Sequence, residues 1–141
     1  MSVPATFRGR ALVAGEASGL VLASAEPLSF WGGYDARTGE IIDRRHPLSG
    51  QMAAGRVLAV PFTRGSSTTA QVLLEAVRAG TAPAAIVTAQ VDAFVSLASI
   101  VADELYQRPL PIVVLDRADF KTLRTGQQAV VKEDGTIELR M

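Results

Sequence analysis

Three short apolar runs, residues 55–60, 84–89 and 112–115, are separated by two stretches with helical spacing. This alternation constrains the fold more than any other feature. Two parallel strands need a crossover of about a dozen residues or more, usually a helix, and such crossovers are right-handed. The first crossover carries Val72, Leu73, Ala76 and Val77 on one side, starts at Thr68 with a capping box to Gln71, and stops at Gly80. The second starts near Asp92 and ends before Pro109. Its periodicity assigns Phe94, Leu97, Ala98, Val101 and Leu105 to one packed face, with Asp103 and Glu104 on the exposed side. The expectation is an α/β core in which the three runs lie adjacent and parallel.

On either side of that core the chain reads as sheet. Residues 7–14 form a first strand broken at Gly15, Ser18 and Gly19 a turn, residues 20–23 a second strand, and residues 28–31 resume pairing after Pro27. Phe30 and Trp31 are placed in the core or on its rim. Asp116 and Asp119 suit the first turn of a short helix running to Leu123 and stopped at Gly126. Residues 128–131 and 136–139 flank Glu133, Asp134 and Gly135, a hairpin signal. With no repeat, linker or low-complexity tract, residues 1–141 read as one domain. The span from Gly32 to Ala54 is long for a connection, and long loops in compact domains are often functional.

Chemistry concentrates where the first core strand hands over to its helix, at Arg64, Gly65, Ser66 and Ser67. Free N–H groups and the positive end of a helix favour an anion there. A serine hydroxyl is a poor nucleophile or base by itself, and a guanidinium with turn amides favours its alkoxide. Read from the pattern, two roles stand for Ser66 and Ser67: chemistry at an anion site, or plain capping and turn formation. The spacing is neither that of a phosphate-binding P-loop nor that of a G-x-S-x-G elbow. His46, the one histidine, sits beside Pro47 in the long loop and reads equally as a ligand contact or a loop anchor. Asp35 and Asp43 read as turn and surface residues. Arg44 and Arg45 read as a solvated face or a partner-facing patch.

Composition narrows the partners. Lys+Arg and Asp+Glu both number 14, so no basic surface for nucleic acid or an anionic membrane is expected. No apolar run reaches a membrane span and no signal-type segment is seen, which makes a cytoplasmic location the default. The chain has no Cys, so it builds neither a disulfide nor a thiolate metal site, and no metal ligands are assigned. Taken alone, the residues leave two readings: a subunit that supplies part of a site completed by another chain, or a non-catalytic module binding an anionic metabolite.

The motifs as a set resemble a known family. Phe30, Trp31, Gly32, Gly33, Asp35, Thr38 and Gly39, the run 43–50 (Asp43, Arg44, Arg45, His46, Pro47, Leu48, Ser49, Gly50), Gly55 to Leu58, the Arg64-Gly65-Ser66-Ser67 turn and the run 80–87 look like the small subunit of the aconitase X family. The resemblance spans about Gly9 to Gly135. It implies a three-layer β/β/α swivelling domain like the small C-terminal domain of aconitase. It also implies a two-subunit hydro-lyase whose larger partner subunit carries an iron–sulfur cluster on its own Cys residues. By the same resemblance Ser66 matches the general base of aconitase. Arg64, Gly65, Ser67 and His46 are then substrate-binding, and a Lewis-acid iron polarises the leaving hydroxyl while Ser66 takes the carbon-bound proton. The family's activities are dehydration of cis-3-hydroxy-L-proline, the expected small hydroxy-acid substrate here, and of phosphomevalonate, the alternative.

Overall fold

The computed structural model describes residues 5–64 and 67–140. Its centre is the predicted parallel core. Strands β5 (Val57–Ala59), β7 (Ala85–Thr88) and β8 (Ile112–Val114) lie side by side and parallel, and β3 (Ala17–Ala23) adds to the free edge of β5, also parallel. Helix α1 (Ser67–Ala79) crosses from β5 to β7 and α2 (Ala93–Tyr106) from β7 to β8. The two helices pack on each other, and α2 also touches β8 and β2 (Arg10–Val13).

Alternation along these strands explains the layers. Leu22, Leu58, Ile86 and Ile112 point to one side, where they meet Leu73 and Ala76 of α1 and Val95 and Ala98 of α2. Val21, Val57, Ala59, Ala85, Val87 and Val113 point to the other, where they meet Ala129, Val131, Ile137 and Leu139 of the hairpin β9 (Gln128–Val131) and β10 (Thr136–Arg140). Side chains on a strand alternate with period 2, so a strand buried on both faces reads as a continuous apolar run, as these do. The result is hairpin, central sheet and helices: the β/β/α order, with two cores separated by one sheet.

The sheet nearly closes into a barrel. Its order is β1-β10-β9-β3-β5-β7-β8-β2, where β1 is Ala5–Arg8. The two ends of this order are consecutive in the chain and joined by Gly9 alone. Residues 7–14 are therefore not one strand: β1 pairs with β10 and β2 with β8, both antiparallel. Gly9 lies where the two halves meet. A Cβ there would strike Val113 and stand 2.7 Å from the Gly135 carbonyl oxygen, which accepts from the Gly9 N–H at 3.1 Å. Only glycine lets the backbones approach this closely.

Other local expectations also shift. Ser18 and Gly19 are inside β3 rather than in a turn, because they pair with Val130 and Ala129 of β9. The segment after Pro27 pairs only at β4 (Leu28–Ser29); Phe30 is fully buried, whereas Trp31 is 67% exposed. Helix α1 begins at Ser67, so Thr68 belongs to the first turn rather than to the N-cap. The short helix is α3 (Arg117–Phe120), with Asp116 as N-cap accepting from the Asp119 N–H at 2.8 Å. The hairpin stands where the turn signal put it.

Helix α2 is the largest correction. Its buried residues are Val95, Ala98, Ser99 and Ala102, and Ser99 Oγ donates to the Leu110 carbonyl while accepting from the Leu110 N–H. Phe94, Leu97, Ile100 and Leu105 are exposed. Small residues let α2 sit close to its neighbours, and the bulkier apolar stripe is turned outward.

Candidate functional site

The chain approaches the Arg-Gly-Ser-Ser turn through a second, two-stranded sheet. Strand β6 (Thr63–Arg64) runs parallel to β4, with Leu28 opposite Thr63 and Ser29 opposite Arg64. A parallel pair this short does not hold itself, and Asp92 supplies the anchor. This buried carboxylate accepts from Thr63 N–H at 2.8 Å and Thr63 Oγ1 at 2.6 Å through Oδ2, and from the N–H groups of Phe94 and Val95 at 3.1 and 3.2 Å through Oδ1. The extended backbone of Asp92 (φ −122°, ψ 103°) is that of an N-cap. One side chain thus caps α2 and ties down the residue before Arg64. On the other side of the turn, the fully buried Thr69 donates from Oγ1 to the Arg64 carbonyl at 3.4 Å. Arg64 itself is exposed. Gly65, Ser66 and the side chain of Ser67 lie outside the described residues.

The long loop builds the facing wall. Isolated bridges pair Tyr34 with Ile41 and Glu40 with Met52, and Ile41 and Leu48 are buried in the core. Tyr34, stacked at 5.0 Å on Phe30, donates its hydroxyl to the Thr81 carbonyl at 2.6 Å, and burial pushes its phenol pKa up. At the loop tip Asp43 Oδ1 accepts from Arg45 N–H at 3.0 Å, a turn in which a side chain replaces a backbone acceptor. His46 is 7% exposed and both ring nitrogens have partners: Nδ1 accepts from Leu48 N–H at 3.1 Å, so Nε2 carries the proton and donates to the Glu26 carbonyl at 3.4 Å. Its geometry is that of a residue fixing the loop onto the segment before β4.

These two walls enclose an open groove of about 620 Å³. Arg64 and His46, far apart in sequence, line it together. Glu26, Asp43 and Arg45 contribute the remaining charges, and Pro27 and Pro47 the apolar surface. Among the described residues the ion pairs are Arg37–Asp35, Arg78–Glu75 and Lys132–Glu138, so none joins the charges of the groove. Arg44 is exposed and does not line it. The sequence reading used Asp92 only to start the second helix and gave Glu26 no role. For Asp92 the signal existed, an Asp directly before an apolar-periodic run. Nothing in the pattern marks Glu26, which reaches the groove only through tertiary packing.

An iron–sulfur cluster does not fit this chain. Such clusters are held by Cys thiolates, and the chain has none. Among the described residues no group of three or more His, Asp and Glu is placed to hold a metal ion, and no helix is long and apolar enough to cross a membrane.

Hairpin, central sheet and helices in β/β/α order are the architecture of an aconitase-type swivelling domain. The chain superimposes on the crystal structure of Thermococcus kodakaraensis aconitase X (holo-form) with a TM-score of 0.86 and 32% identity, covering 97% of this chain and 99% of that one. Residues 6–139 match the aconitase X swivel domain, and the chain belongs to this family. It is 54% identical over 106 residues to cis-3-hydroxy-L-proline dehydratase of Pseudomonas aeruginosa, covering 75% of this chain and 18% of that protein. It is 32% identical over 139 residues to the phosphomevalonate dehydratase small subunit of Methanosarcina mazei, covering 97% and 92% respectively. The chain spans about a fifth of the length of the hydroxyproline dehydratases it matches.

Proposed function

We propose that this chain is the swivelling part of a hydro-lyase that dehydrates cis-3-hydroxy-L-proline, with Ser66 as the general base. The observation that carries the reading is the 54% identity to a cis-3-hydroxy-L-proline dehydratase. The structural support is an anchored Thr63–Arg64 strand facing the His46 loop across one groove. Arg64 binds the substrate carboxylate, and Gly65 and Ser67 are further substrate-binding residues. His46 fixes the opposite wall and presents that wall to the substrate. Ser66 Oγ takes the carbon-bound proton, the hydroxyl leaves from the neighbouring carbon, and the C=C bond forms. The guanidinium of Arg64 and the N–H groups opening α1 lower the cost of the alkoxide this requires.

Because the chain has no Cys, the iron–sulfur cluster belongs to a larger partner subunit. That partner covers the turn and the His46 loop, and the chain is inactive without it. The test is steady-state kinetics of the two-subunit enzyme, each variant checked for equal cluster content. Ser66→Ala is expected to lower kcat by about 10²–10⁴ while folding and partner binding hold. Ser67→Ala is expected to cost less, mainly in KM. Near-normal turnover of Ser66→Ala overturns the base assignment. Turnover of 5-phosphomevalonate but not of cis-3-hydroxy-L-proline overturns the substrate, in favour of the activity carried by the archaeal relatives.

A further inference from the structure

Of the four charges lining the groove, Arg64 alone has a part in the dehydration. Arg45 and Arg64 line it together with Glu26 and Asp43, and no ion pair joins them. Opposite charges that share a groove without pairing leave both signs available to a ligand. A ligand carrying several negative charges and no positive one would place like charges beside the two carboxylates, which disfavours it. A small zwitterion meets both signs.

The two carboxylates are held, each in its own way. Asp43 is fixed by its acceptance from Arg45 N–H at 3.0 Å and by the His46 N–H donating to the Asp43 carbonyl at 3.1 Å. The backbone of Glu26 is pinned on both sides, by Ser24 Oγ accepting from its N–H at 2.9 Å and by His46 Nε2 on its carbonyl at 3.4 Å. His46 therefore sets the relative position of both. Arg64 enters from the other wall, on the anchored strand. Pro27 and Pro47 offer aliphatic rings between them.

We propose that Asp43 and Glu26 are specificity-determining residues that recognise the ring ammonium of a cyclic amino acid, opposite an Arg64 that takes its carboxylate. The inference rests on the dehydratase reading for its setting, and it adds the groups that read the nitrogen. Specificity is a difference of affinities: a ligand that brings a proton donor to the half-buried Asp43 and the exposed Glu26 carboxylates is favoured over the isostere that does not.

The experiment uses the enzyme assembled with its larger partner and two unreactive probes, L-proline and (S)-tetrahydrofuran-2-carboxylate, in which oxygen replaces the ring nitrogen. Dissociation constants are measured by calorimetry at neutral pH. The wild-type enzyme is expected to prefer L-proline by about tenfold or more, the size of one charge-assisted contact in a solvated site. Asp43→Asn and Glu26→Gln each reduce that preference, and the double variant brings it to within about threefold while still binding the oxygen analogue. A merely structural role would weaken both probes alike and leave the ratio untouched, which overturns the proposal. So does a wild-type enzyme without preference, or one that binds neither probe. Because neither probe reacts, a nitrogen preference that survives in an enzyme unable to dehydrate cis-3-hydroxy-L-proline refutes the dehydratase reading and sustains this one.

Discussion

Replacing Asp92 is the most direct way to test how the turn is held. Four donors converge on its carboxylate, two from Thr63 and two from the first turn of α2. The two oxygens do separate work, so two substitutions dissect them. Asp92→Asn keeps an acceptor for Phe94 and Val95, since Asn caps about as well as Asp. It must then turn an amide N–H₂ towards Thr63, whose hydroxyl can rotate to accept from it but whose backbone N–H is left without an acceptor. Leaving such a donor unsatisfied costs about 1–3 kcal/mol, and Thr63 is only half buried, so the lower half of that range applies. Asp92→Ala loses the cap as well, about 1 kcal/mol more, for a total of about 2–3 kcal/mol. Thr63→Val keeps shape and removes only the hydroxyl contact. The assay is urea unfolding of the four proteins and the Asp92→Asn/Thr63→Val double variant, compared at constant m-value. The coupling between the two sites is expected at about 0.5–3 kcal/mol. An Asp92→Ala protein within 0.5 kcal/mol of wild type, or additive single variants, would refute the anchoring argument.

Arg64→Ala is expected to raise KM for the carboxylate substrate by about tenfold or more with kcat less affected, and Arg64→Lys to recover part of the loss, as steady-state kinetics will report. Tyr34 gives a pH signature: burial raises its folded pKa above the ordinary phenol value, so the unfolded chain releases the proton first, and the stabilisation, fully present below pH ~10, is lost as pH rises beyond it. Tyr34→Phe should be less stable than wild type at pH 8 by about 0.5–1.5 kcal/mol, for the lost bond to Thr81, and the gap should narrow above pH ~10 in denaturant titrations. On α2, Leu97→Gln should leave stability within about 0.5 kcal/mol while Ala98→Leu costs about 1–3 kcal/mol by overpacking, measured by thermal unfolding.

The parallel core was legible because β5, β7 and β8 are buried on both faces, which leaves apolar runs that no exposed strand would carry. The closing hairpin was legible from Glu133, Asp134 and Gly135. Periodicity misled in part at α2, where both stripes are apolar: Ala98 is buried as expected, but Phe94, Leu97 and Leu105 are exposed and the small Ala102 and Ser99 take their place in the packed face. Residues 7–14 read as one strand because Gly9 is a single residue and its role depends on Val113 and Gly135, more than a hundred residues away in sequence. The site shows the same division. The turn at Arg64 was visible as a local motif, and His46 as a lone titratable residue beside a proline. Their meeting across one groove, and the part of Glu26 and Asp43 in it, arises only when the loop 32–54 packs against the segment before β4.

Both walls of the groove are fixed by side chains that bond to backbone. Asp92 holds Thr63 N–H, His46 holds Leu48 N–H and the Glu26 carbonyl, Ser24 holds Glu26 N–H, and Thr69 holds the Arg64 carbonyl. Of the charged residues that line the groove, Glu26, Arg45 and Arg64 take no part in that anchoring through their side chains, whereas Asp43 Oδ1 accepts from Arg45 N–H. Apart from Asp43, the anchoring side chains and the charged lining are therefore different residues, the arrangement in which a rigid shell supports a variable lining. Glu26, Arg45 and Arg64 can then change while the backbone that carries them stays put, whereas a replacement of Asp43 must keep an acceptor for Arg45 N–H. One β/β/α scaffold can in this way serve relatives named for substrates as different as a cyclic amino acid and a phosphorylated acid. The four charged residues that line the groove lie at the edge of the two-stranded sheet and on the loop facing it, outside both apolar cores.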